Sequence, residues 1–359
     1  MADSWTFAVA RDNLQRTTVV HTATPVPGDG EVLLRVDRVG LTANNVTYAV
    51  LGDAMRYWEF FPNSPGPDWG LPPLWGFAEV TESNVETVPV GQRVYGYLPP
   101  AGHLVVRPDR VDATGFRDAS PHRADLPSPY NAYRSTTADP AYRPDQEDLL
   151  VLFRPLFFTS FMLADQVADN DYYGAHSLIL SSASSKTAYA AAFELHGHAP
   201  RLIGLTSPGN VAFTQSLGCY DEVLSYDQIT TLAQEPTAYL DLSGSPTTRA
   251  TLRTHLGDHL IRDVAVGLTT QIPNAEAAGE VFFAPTQMRK RRLDWGRDGL
   301  DQRFATAWQR FATAVTQWLD VRTGTGPQAL QQAWLEVLAG RTPPRAGHII
   351  QLNNHQTQQ

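Results

Sequence analysis

Hydrophobic patterning divides the chain near its middle. Leu178, Ile179 and Leu180 form a short unbroken apolar run, the pattern of a strand buried on both faces. Small residues follow (Ser181-Ser-Ala-Ser-Ser185), and the alanine-rich stretch beyond them predicts a helix. The pattern then repeats. Residues 201–207 read as a second buried strand ending in hydroxyls, 211–217 as a helix, and 218–226 as a third strand running into a loop. Residues 239–243, 264–268 and 281–285 supply further strands with helical spacers between them. Strands and helices in alternation predict a doubly wound α/β domain with a parallel sheet, its ligand crevice beyond the carboxyl ends of the strands.

The first 150 residues carry a different pattern. Residues 31–40, 72–80, 91–97 and 102–107 are short half-buried strands punctuated by Gly and Pro, which predicts a small barrel or folded sheet. Aromatic residues gather among them: Tyr48, Tyr57, Trp58, Phe60, Phe61, Trp69, Trp75 and Phe77. Residues 117–147, rich in Pro, Ser, Ala and charge, read as a surface loop or crossing segment. Residues 149–168 read as a helix in which Pro155 forces a break or a new start. Near the other end, 299–321 predicts a long amphipathic helix, 328–338 another, and 347–352 a closing strand that returns to the first domain.

Composition narrows the function classes. A chain of 359 residues is long enough for two domains, and 42% apolar with 18% charged residues describes a globular protein. The net charge of −9 argues against a nucleic-acid partner. Cys219 is the single cysteine, so an internal disulfide or a cysteine zinc cluster is excluded. The N-terminal residues lack signal-peptide character and no apolar run reaches membrane-spanning length, so the expectation is a soluble cytoplasmic protein with no membrane partner.

A strand, a small-residue turn and a helix N-terminus together suit a diphosphate. The glycine fingerprint G-x-G-x-x-G is not matched, however, and Ser-Ser-Lys-Thr lacks the glycines of a phosphate loop. Ser182, Ser184, Ser185, Lys186 and Thr187 are the candidate phosphate contacts, against the alternative of an ordinary serine-capped turn. Where NAD-binding folds place an acidic residue, the second strand ends in Thr206 and Ser207, with Asn210 beyond. No carboxylate there repels a 2′-phosphate, so NADPH is expected over NADH. Tyr226 is placed on the adenine side or in the core. The run Arg289 to Arg292 reads as a solvated face rather than a phosphate clamp. His103, His176, His196 and His198 show no triad or metal spacing, and there is no nucleophile elbow.

The order of parts resembles the medium-chain dehydrogenase/reductase superfamily, and in detail its divergent branch, the DUF2855 family. The resemblance is carried by Leu41-Thr-Ala-Asn-Asn-Val-Thr-Tyr-Ala-Val-Leu-Gly52, Pro72-Pro-Leu-Trp-Gly-Phe-Ala78, Arg154-Pro-Leu-Phe-Phe-Thr-Ser160, Ser182-Ala-Ser-Ser-Lys-Thr-Ala188, Gly204-Leu-Thr-Ser207 and Leu217-Gly-Cys-Tyr-Asp221. It implies an α/β fold: a β-rich GroES-like domain over 1–150, joined by about 321–359, and a Rossmann nucleotide-binding domain over 151–320. Alcohol dehydrogenases place a zinc-binding cysteine where this chain reads Leu41-Thr-Ala-Asn-Asn45, so zinc-independent chemistry is implied. Asn44, Asn45 and Tyr48 fall where zinc-free quinone and enoyl reductases line the pocket near the nicotinamide.

The expected activity is hydride transfer from NADPH to a conjugated double bond or ketone in a hydrophobic small molecule. The Tyr48 hydroxyl and the Asn45 amide are the candidate donors to the substrate oxygen, each with a structural alternative. Tyr57, Trp58, Trp75 and Phe77 are the expected pocket walls, shared with the core. The alternatives are a redox-neutral enzyme that uses bound nucleotide and a non-catalytic nucleotide-binding sensor or accessory protein. A homodimer joined across the Rossmann sheets is common in the superfamily and is carried over by analogy alone.

Overall fold

The computed structural model describes residues 4–62, 65–266 and 280–353. The chain forms two compact units, Met1–Leu152 with Leu319–Gln359, and Phe153–Trp318.

The first unit is built on strands. β1 (Ser4–Ala10), β2 (Thr17–Thr22), β3 (Val32–Leu41), helix α1 (Ala43–Val50) and β4 (Trp69–Gly70) are followed by β5 (Leu74–Ser83), β6 (Arg93–Leu98), β7 (His103–Val106), β8 (Pro108–Asp112), β9 (Gly115–Asp118) and β10 (Ala132–Ser135). β2, β1 and β4 form a small sheet. β3 is the spine of the larger one, pairing antiparallel with both β5 and β7. Its burial is nearly continuous because side chains on both faces meet protein. The segment expected to be a surface loop instead supplies β10, which joins β6 to β9. The short 3₁₀ turns around β10 carry no period-2 signal.

Helix α2 (Glu147–Asp169) runs continuously, with Pro155 inside it, so the expected break does not occur. It is long and apolar enough to cross a membrane by length and composition, against the expectation that no segment would be; 61% of its most apolar window is buried in protein, as in a core helix.

The second unit continues with β11 (Ser177–Leu180), α3 (Lys186–Leu195), β12 (Arg201–Thr206), α4 (Val211–Ser216), β13 (Glu222–Ser225), β14 (Thr237–Asp241), α5 (Pro246–Leu256), β15 (Leu260–Val266), β16 (Glu280–Phe282) and α6 (Ala284–Val315). The six strands are parallel in the order β13-β12-β11-β14-β15-β16. The order therefore reverses between β11 and β14, the switch point where open α/β sheets bind ligands. The last two residues expected in the fifth strand lie outside the described residues.

The basic run lies on α6 and is only in part a solvated face. Lys290 pairs with Asp169 of α2, and Arg291 with Asp165 and Asp169. Gly296 interrupts α6 with φ of 71°. The expected helix over 299–321 ends early, because Val321 belongs to β17 (Asp320–Thr325). α7 (Gly326–Leu338) then leads to β18 (Ala346–Gln351), which pairs parallel with β17 and antiparallel with β3, closing the first unit's sheet.

Candidate functional site

In the second unit, the serine turn after β11 performs the tasks of a glycine turn by other means. Ser182 takes the left-handed conformation itself, with φ of 53°. Its N–H donates to the Tyr226 hydroxyl at 2.9 Å. Close packing is achieved on the neighbouring strand: a Cβ on Gly204 of β12 would lie 2.9 Å from the Cβ of Ala183. Ser185 caps α3, accepting from the N–H of Ala188 at 3.3 Å. Lys186 and Thr187 open the helix, at the end where an α-helix directs its first N–H groups outward.

The expected nucleotide residues converge here. The Ser184 hydroxyl oxygen accepts from Thr206 Oγ1 at 3.1 Å and from Asn210 Nδ2 at 3.2 Å, so its own proton is directed elsewhere. Ser207, exposed, accepts from Asn210 at 3.1 Å. Tyr226 reaches the turn from the end of β13; burial raises its pKa and the hydroxyl stays neutral. Lys186 is half-buried, with Nζ 6.0 Å from the ring centre of Phe153. Burial pushes its ammonium down to about 8.

Beneath the turn lies a polar knot absent from the sequence reading. Ser181, fully buried, donates to Asp241 Oδ1 at 2.9 Å, and Asp241 pairs with Arg249 of α5 at 2.8 Å. A carboxylate at the end of an apolar strand was the available signal, since a buried charge requires a partner.

The first unit holds the aromatic cluster. Tyr48, on α1, lies 4.7 Å from Tyr57, 5.5 Å from Tyr97 and 6.5 Å from Tyr130 between ring centres. Its hydroxyl oxygen accepts from Asn44 Nδ2 at 2.8 Å and from Trp75 Nε1 at 3.1 Å. Both of these partners are donors, so neither bond uses the phenol proton. Burial raises the pKa of Tyr48 well above its ordinary value despite these two bonds, which keeps the group protonated. Tyr97 and Tyr130 escaped the sequence reading, one inside a strand and the other inside the segment read as a loop. Tyr97 is fully buried among these rings.

Three expected site residues are engaged in the fold. Asn45 accepts from the Thr42 N–H at 2.8 Å, capping α1, and donates to the Pro73 carbonyl at 3.0 Å, so its amide is spent on structure. Trp58 is core, because a Cβ on Gly52 or Gly70 would fall 2.1 or 2.4 Å from its ring. Phe77, fully buried, packs on Tyr95 and Tyr142 under the Arg93 guanidinium. Tyr57 and Trp75 remain in the cluster with Tyr48. Among the described residues, no group of three or more His, Cys, Asp or Glu is arranged to hold a metal.

A family model described as "Protein of unknown function (DUF2855)" matches residues 39–343. No curated protein matches the sequence. Among solved structures, CurA in complex with NADPH from Vibrio vulnificus is 12% identical with a TM-score of 0.63, over 98% of this chain and 99% of that one. A putative NADPH:quinone reductase from Mesorhizobium loti is 15% identical, with a TM-score of 0.61 and the same coverage. A thermostable alcohol dehydrogenase from Pyrobaculum aerophilum is 18% identical, with a TM-score of 0.55, over 97% of this chain and 99% of that one. These likenesses show the fold, a GroES-like unit and a Rossmann unit.

Proposed function

This chain belongs to the family described as Protein of unknown function (DUF2855), and from its two sites we propose that it is a zinc-independent, NADP-dependent reductase of a conjugated double bond or ketone in a hydrophobic small molecule. The observation that carries the reading is the Tyr48 hydroxyl, which accepts from two donors and keeps its own proton to give. NADPH, when bound, supplies the hydride.

The residues present suit such a ligand. The N–H groups of Lys186 and Thr187 and the hydroxyl of Ser184 are donors for a diphosphate at the helix N-terminus. Thr206 and Ser207 end β12 without a carboxylate, which supports NADPH over NADH. Tyr48 Oη offers its proton to the substrate oxygen as negative charge develops there, and the Asn44 and Trp75 donors polarise the phenol toward that task. Tyr57 and Trp75 supply apolar walls that exclude water and select a flat, hydrophobic substrate.

Titration with NADPH and NADH, followed by tryptophan fluorescence, tests the reading, and a panel of enones, quinones and aldehydes tests turnover. Tighter binding of NADPH and its oxidation by an enone or ketone are expected. Failure to bind either nucleotide would remove the proposal; binding without oxidation across the panel would favour a sensor.

A further inference from the structure

The pairing of β14 with β11 sets Leu240 beside Leu180, so the next residues, Asp241 and Ser181, meet at the carboxyl edge of the sheet. That edge is the switch point in strand order, flanked by the turn after β11 and the loop 242–245 after β14. Asp241 Oδ1 receives Ser181 Oγ at 2.9 Å, Tyr239 Oη at 2.9 Å, the Ser243 N–H at 3.0 Å, Ser243 Oγ at 2.8 Å and the Gly244 N–H at 2.9 Å. Oδ2 receives Arg249 at 2.8 Å. Ser181 Oγ in turn accepts from the N–H groups of Leu242 and Ser243, each at 3.0 Å. Asp241, Ser181 and Tyr239 are almost wholly buried, so these bonds lie in a low-dielectric setting where each counts for more than on the surface.

The two flanking segments are held unequally. The turn after β11 has its own ties toward β12 and β13: Ala183 N–H to the Leu205 carbonyl at 2.9 Å, Ser184 to Thr206 and Asn210, and Ser182 to Tyr226. The start of the β14 loop has Ser181 and Asp241. We propose that Asp241, acting through Ser181, is a positioning residue for the dinucleotide: it locks the β14 loop to the diphosphate turn so that both halves of the ligand meet one rigid edge. This rests on the nucleotide-binding reading above. It deepens that reading by assigning the two halves of the ligand to segments with separate supports.

The test compares NADPH with its adenine-half fragment, adenosine 2′,5′-bisphosphate, on the full chain. Ser181→Ala keeps the Asp241–Arg249 pair and the bond from the Ser243 N–H to Asp241, and releases the N–H of Leu242; Asp241→Asn alters the carboxylate itself. Ser181→Ala is expected to weaken NADPH about tenfold, the scale of a lost buried hydrogen bond, and to leave the fragment within about twofold. Asp241→Asn should show the same split with a larger NADPH loss. Equal weakening of both ligands would reduce the knot to general structural support and overturn the proposal, as would unchanged NADPH affinity in Ser181→Ala. If Asp241→Asn fails to fold, Ser181→Ala still decides. A wild-type chain that binds neither ligand overturns the nucleotide reading and this inference together, whereas wild-type binding of both with no split in the variants overturns this inference alone.

Discussion

Replacing Tyr48 with Phe isolates one atom. The ring keeps its contacts with Tyr57 and Tyr97, at 4.7 and 5.5 Å, so the cluster keeps its shape. What is lost is an acceptor for Asn44 and Trp75 and a donor toward the substrate. Asn44 and Trp75 are only half-buried and can turn to water, so the stability loss sits at the low end for an unpaired donor, about 1 kcal/mol. The loss of one donor to a developing oxyanion is far larger, about 3 kcal/mol or a hundredfold or more in turnover. Kinetics should therefore fall out of proportion to stability. The assay is steady-state NADPH oxidation with an enone or ketone from the panel, alongside nucleotide titration and a thermal melt. NADPH affinity should be unchanged, the melting temperature slightly lower, and turnover down about a hundredfold. Turnover within about twofold of wild type would refute the donor role. Because burial raises its pKa, Tyr48 stays protonated through the neutral range. A neutral-range limb of the pH–rate profile that vanished in Tyr48→Phe would show the phenol titrating there and would refute the burial argument.

Asn45→Ala should behave oppositely, costing about 2–4 kcal/mol in urea unfolding through the lost cap and the unpaired Pro73 carbonyl, with nucleotide affinity unaltered. Lys186 bears on pH. Its folded pKa, pushed down by burial to about 8 from 10.5, means the native state binds fewer protons than the unfolded chain between those values. Its penalty on stability is thus full below about 8 and is relieved as pH rises toward 10.5. Lys186→Met should be more stable than wild type at neutral pH, with the gap narrowing above 8; equal stability at neutral pH would refute the burial argument. If the ammonium meets a phosphate, wild-type NADPH affinity should also fall as pH climbs through about 8, and the variant should lack that slope.

The parallel sheet was legible because its strands are short apolar runs between amphipathic helices, a pattern that survives without tertiary context. The turn was legible from the strand before it and the helix after it, while the serines hid how it works: the left-handed residue is Ser182 and the close approach lies at Gly204. The aromatic cluster was only half read. Tyr130 sits in a Pro-rich stretch of 3₁₀ turns that has no period, and its place beside Tyr97 depends on β10 joining β6. Composition cannot separate a pocket wall from core. Trp58 and Trp75 look alike in sequence, yet one is clamped between two glycines and the other donates to Tyr48. At Val321 the sequence predicts helix because the amphipathic pattern runs on past the point where β17 recruits the chain.

The contact between Ala183 and Gly204 has a wider meaning. A methyl group on one strand's turn is accommodated by its omission from the adjacent strand, so the narrow spot is a property of two distant positions taken together. A pattern written for a single contiguous segment cannot register such an exchange. Close packing arranged sideways in this manner becomes visible only when residues are compared across the sheet instead of along the chain.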